Sequence, residues 1–109
     1  MATKPQRSTE TSRDADAVLA ALDVTDRLLR DGFPKAGAAE ADLNAVKRGD
    51  EVVTRLYDAS GSDDHYLAHL LFRCVVARLT GGPAVYADLM NDIAMAQASA
   101  LIRAKLAAA

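Results

Sequence analysis

Apolar residues in this chain recur at steps of three and four through several long segments, and that spacing points to packed helices. Val18, Leu22, Thr25 and Leu29 form a first stripe, flanked by Leu19 and Leu28, with Asp16, Asp23, Arg27 and Arg30 turned away. Ala39, Leu43, Val46, Val53 and Tyr57 form a second. Three sets of breakers separate the segments: Gly32 with Pro34, Ser60-Gly61-Ser62, and Gly81-Gly82-Pro83. Glycine adopts a left-handed cap without strain, and proline ends a helix but suits the first turn of the next.

The expected elements are helices at about 12–31, 38–59, 63–80 and 84–107. Ser12 and Ser62 serve as N-caps, each followed by a first turn with two carboxylates, Asp14 and Asp16 or Asp63 and Asp64. Gly49 lies at the edge of the second stripe; it costs about 1 kcal/mol of helix propensity and lets a neighbour approach closely, a break there being the alternative. Residues 1–11 hold no large apolar residue after Met1, so they read as a disordered tail ahead of one helical domain over 12–109. Short connections favour antiparallel neighbours. The fold class is therefore all-α, a four-helix up-down-up-down bundle, with dimerisation, or a hairpin exchanged between chains, as the way to complete its core.

Composition narrows the function classes. Hydrophobic residues at 50% and charged residues at 26% describe a chain that folds, while 109 residues suffice for one domain. A net charge of -2 supplies no basic face for phosphates, so nucleic-acid binding is disfavoured. On a helix-turn-helix reading, Lys47, Arg48 and Arg55 are offset by Glu40, Asp42, Asp50 and Glu51, and the Lys4, Arg7 and Arg13 segment reads as solubilising. Arg78 and Asp88 interrupt the most apolar stretch, which argues against a membrane span. A single cysteine, Cys74, forbids an internal disulfide, and the start lacks a secretory signal, so the expected location is cytoplasmic.

Helices three and four carry more apolar surface than one bundle core uses. Tyr66, Leu67, Leu70, Leu71, Cys74 and Val75 make one face of helix three, while Phe72, Val76 and Leu79 project on the other side. In helix four, Tyr86, Leu89, Met90, Ile93, Ala100, Leu101 and Ala104 read as the core stripe, with Met95, Ile102 and Leu106 opposite. Small residues such as Ala94, Ala96, Ala98 and Ala100 admit a close helix partner. A helix apolar nearly all round must be central or covered by something else. The expected interface is thus Phe72, Val76, Leu79, Met95, Ile102 and Leu106, with Arg78 either snorkelling near its helix terminus or pairing with an acid across the interface.

Chemistry has few seats. His65 and His69 stand four apart, the spacing of helical metal ligands, but a site needs further ligands. Asp88 and Asp92 belong at the far end of helix three, and Asp58, Asp63 and Asp64 are explained by capping. No metal or cofactor is expected, and neither histidine has a candidate nucleophile beside it. Cys74 on an apolar face behaves as a small hydrophobe. No phosphate loop, paired-cysteine pattern or nucleophile elbow occurs, Gly81-Gly82-Pro83 being a turn. The expectation is a non-enzymatic helical interaction protein, a homodimeric regulator or adaptor for a helical segment of another protein. A metal-binding bundle using His65 and His69, or a nucleic-acid-associated regulator, is the alternative.

Overall fold

The structure, a computed structural model, describes residues 3–34, 39–81 and 90–108, with side chains from Arg13 onward. Four helices account for them: α1 (Thr3–Asp31), α2 (Glu40–Ser60), α3 (Asp63–Thr80) and α4 (Asp92–Ala108). Ion pairs record their directions. Asp14 meets Arg55 at 2.8 Å and Arg27 meets Asp42, so α1 and α2 are antiparallel. Arg78 meets Asp92 at one end of α3 and Asp64 lies 3.8 Å from Lys105 at the other, so α3 and α4 are antiparallel too. With α2 packed on both α1 and α3, and α4 packed on the same two helices, the order is up-down-up-down.

The glycines act where the breaker pattern put them. Gly32, Gly61 and Gly81 all have positive φ, and the N–H groups of Gly32 and Gly61 donate to the carbonyls of Leu28 and Tyr57. Such left-handed caps satisfy carbonyls that the last helical turn leaves open. Ser62 caps α3 as expected, its hydroxyl accepting from the Asp64 N–H at 3.3 Å.

Two boundaries differ from expectation. α1 starts at Thr3 and runs through the segment read as a tail, because nothing between Pro5 and Gly32 breaks a helix. Pro5 falls in the first turn, where the missing N–H is no loss. The fourth helix, expected as one piece over 84–107, starts instead at Asp92. Met90 and Asn91 are non-helical, and the Asn91 side chain accepts from the Ala94 N–H at 2.8 Å, an N-cap. The expected starts at 38 and 84, with Tyr86, Asp88 and Leu89, lie outside the described residues.

The core draws on all four helices: Val18, Ala21 and Leu22 from α1, Val46 and Val53 from α2, Leu71, Phe72 and Val75 from α3, Met95 and Ile102 from α4. α2 continues through Gly49, and the reason is contact. A methyl group there would stand 2.5 Å from the Ala21 Cβ, 3.3 Å from the Ala17 carbonyl oxygen and 3.4 Å from the Phe72 ring. Gly49 therefore lets α1 lie against α2 and lets Phe72 close over the junction. One copy thereby hides Phe72, against the expectation of an outer face for it.

Candidate interaction surface

The orientation of α4 is set by polar side chains. Ser99, fully buried, donates to Asp26 at 2.7 Å, and Arg103 donates to Asp23 at 2.9 Å and Asp26 at 2.8 Å. Partial burial works against the Arg103 charge, but the bonds to Asp26 and Asp23 outweigh it and raise its pKa further. These bonds turn one edge of α4 toward α1, and Met95, Ala98, Ser99 and Ile102 go inward as a consequence.

What remains outside is unusual for a surface helix. Between Asp92 and Lys105, the exposed positions of α4 are Ile93, Ala96, Gln97, Ala100, Leu101 and Ala104, none of them charged. Ile93 is 70% exposed and Leu101 46%. Beside this face a shallow groove runs between α3 and α4, walled by Leu67, Ala94, Ala98 and Leu101. Single exposed apolar residues are ordinary; here two large aliphatics share one exposed edge of α4 beside an apolar groove.

The expected interface residues lie elsewhere. Phe72, Leu79, Met95 and Ile102 are buried in the core of a single copy, while Val76 and Leu106 are half-buried against it. Ile102 and Leu106 wall a cavity of about 160 Å³ at the end of the bundle, beside Ala68, whose small side chain contributes to the opening. The two-stripe pattern of α4 is present, but with its sides exchanged: the stripe assigned to the core contains the exposed Ile93 and Leu101. On α3 the expected core face is buried at Leu71, Cys74 and Val75, half-buried at Leu67 and Leu70 and exposed only at Tyr66, while Phe72 and Leu79 from the other side are buried as well, so both faces of this helix are used within one copy. Arg78 pairs within the chain: it donates to Asp92 and, at 3.1 Å, to the Met90 carbonyl, and its guanidinium sits 5.1 Å from the Phe33 ring centroid. It fastens the start of α4 to the end of α3.

The histidines turn to separate partners. The His65 Nδ1 lies 3.2 Å from the Ser60 hydroxyl, and the His69 Nδ1 lies 2.6 Å from Asp50 and 3.2 Å from the Thr54 hydroxyl. Hydroxyls thus do stand beside both rings, which sequence spacing missed because they come from α2. Asp50 and Thr54 crowd the same nitrogen, whereas a relay needs carboxylate and nucleophile on opposite nitrogens. Among the described residues no three His, Cys, Asp or Glu side chains cluster as metal ligands. Cys74 is buried, and burial pushes its thiol pKa up, with the Arg78 charge pulling weakly the other way. Among the described residues no helix is long and apolar enough to cross a membrane.

Comparison with models of known protein families, with curated proteins and with solved structures finds no match to this chain.

Proposed function

We propose that the protein is a non-enzymatic helical interaction module, a small regulator or adaptor, working as a homodimer through the outer face of α4. The carrying observation is that face: its exposed positions, Ile93, Ala96, Gln97, Ala100, Leu101 and Ala104, are all uncharged, with Ile93 70% exposed and Arg103 turned to Asp23 and Asp26 at its edge. Full burial of a large aliphatic side chain is worth about 1.5–3 kcal/mol. Covering the exposed parts of Ile93 and Leu101 on two copies therefore contributes roughly 3.5–7 kcal/mol. Association itself costs about 4–15 kcal/mol. The face is about 17 Å long at 1.5 Å per residue, short of what a standard interface of roughly 800 Å² per partner occupies. Pairing is accordingly weak and reversible, so protein concentration sets the dimer population, a property suited to a regulator.

Size-exclusion chromatography with light scattering on the parent, Ile93→Asp and Leu101→Asp tests this reading. The parent is expected to shift toward twice the 11.5 kDa chain mass as it is concentrated. Both variants are expected to stay at one chain mass with undiminished helicity. A parent that never exceeds one chain mass, or variants that dimerise as well as the parent, would overturn it.

A further inference from the structure

We infer that the cavity at the end of the bundle is a binding site for a compact, uncharged, largely apolar molecule the size of one benzene ring. It does not depend on the outer face of α4. All four helices wall it: Val18 from α1, Val53 and Leu56 from α2, Ala68 from α3, and Ile102 and Leu106 from α4. Aliphatic side chains thus enclose most of a volume of about 160 Å³. An apolar cavity of about 150 Å³ stays dry and takes up benzene. Water gains little inside such a space, which needs polar partners to hold it, and among the described residues no buried side-chain nitrogen or oxygen lacks a hydrogen bond.

The walls hold their shape. Val18, Val53 and Ile102 are almost fully buried by the core behind them. Valine and isoleucine on a helix keep one strongly preferred rotamer, so these three do not swing inward to close the gap. The space itself comes from Ala68. It belongs to the buried side of α3 that continues with Leu71, Phe72 and Val75, and its methyl group stops short where those side chains fill the core. At the mouth, Gly61 in its left-handed conformation and the Ser62 hydroxyl, accepting from the Asp64 N–H, fix the turn between α2 and α3.

The same mouth decides the charge of the occupant. Asp64 and Lys105 stand there 3.8 Å apart and answer each other, and His65 is turned to the Ser60 hydroxyl. An ionic ligand would give up water without an unpaired charge to meet it. An uncharged ring exchanges water for aliphatic carbon on every side but the mouth.

The test is methyl-resolved NMR of the full chain, titrated with benzene and with phenol, a soluble ring of similar size whose hydroxyl can stay at the mouth. Saturable shifts are expected at the methyl groups of Val18, Val53, Ile102 and Leu106, with those of Ile93 and Leu101 unmoved. Shifts centred on Ile93 and Leu101, or none with benzene at its solubility limit, would overturn the inference. Benzoate is expected to bind at least about tenfold more weakly than phenol. Equal or tighter binding of benzoate would overturn the uncharged class. Ala68→Leu places an isobutyl group in the cavity and is expected to abolish the saturable shifts at parent helicity; undiminished binding would overturn the site. If Ala68→Leu does not fold, the smaller Ala68→Val is expected to weaken phenol binding by about tenfold, and unchanged affinity there would overturn the site equally.

Discussion

Replacing Gly49 with alanine adds one methyl group at the tightest crossing in the molecule. In an exposed helix the change stabilises, by about 1 kcal/mol of propensity. Here the new Cβ would stand 2.5 Å from the Ala21 Cβ, against an ordinary carbon–carbon contact of about 3.5–4.0 Å. Ala21 has no torsion with which to retreat, and the Ala17 carbonyl, 3.3 Å away, belongs to the α1 backbone. Relief therefore requires α1 and α2 to separate by about 1 Å, a gap that forfeits up to half of each dispersion contact across it. Overpacking of this kind costs about 1–3 kcal/mol. With both backbone groups immovable the cost belongs at the upper end, so the net loss is about 2 kcal/mol, or roughly 10 °C in Tm for a domain of this size.

Chemical and thermal denaturation followed by circular dichroism, on protein dilute enough to be one chain, measures the loss. The partner change Ala21→Gly removes the obstructing methyl group. Alone it lowers stability through propensity and a small void, but combined with Gly49→Ala it moves one methyl from α1 to α2. The double variant is expected near the parent, with a coupling energy of about 3 kcal/mol, at the upper end of the range found for contacting residues. A Gly49→Ala protein as stable as the parent, or losses that simply add, would refute the close crossing.

Other consequences are as specific. Met95→Asp buries an unpaired charge in the core and is expected to unfold the chain, while Ile93→Asp changes monomer stability by no more than about 0.5 kcal/mol; the reverse order would show that α4 faces the other way. Asn91→Ala removes the bond to the Ala94 N–H and is expected to cost about 1 kcal/mol, which Asn91→Asp largely restores; equal losses in urea melts would deny the cap. The Cys74 thiol is expected to react with a thiol reagent at pH 8 only on unfolding. Because burial raises its folded pKa, its contribution to stability is present below the ordinary thiol range and is lost as pH climbs above about 9. Rapid labelling of native protein, or a stability that rises between pH 8 and 10, would contradict its burial.

The helix boundaries carried by local chemistry were legible in the sequence. Gly32, Gly61 and Gly81 need left-handed backbone, Ser62 has donors to cap, and those requirements involve only neighbouring residues. Asn91 followed by Asp92 is also a local signal, a cap with a first-turn carboxylate, but the apolar period running through it masked the break. The facing of α4 was not legible, since both its sides are apolar and periodicity ranks them equally. The decision lies with Ser99 and Arg103, which bind Asp23 and Asp26 on a helix more than seventy positions earlier. Likewise Phe72 reads as surplus until Gly49 opens the junction of α1 and α2 to it. Apolar residues left outside could be anticipated on α4 but not which ones, and on α3 the expected surplus is absorbed by contacts between helices.

Sedimentation equilibrium of the unmodified chain across a wide concentration series tests the central claim most directly. The account predicts a weight-average mass that climbs from 11.5 kDa toward twice that value as concentration rises, fitted by a single monomer–dimer equilibrium. A mass fixed at one chain over the whole series would mean that the uncharged face of α4 does not join two copies.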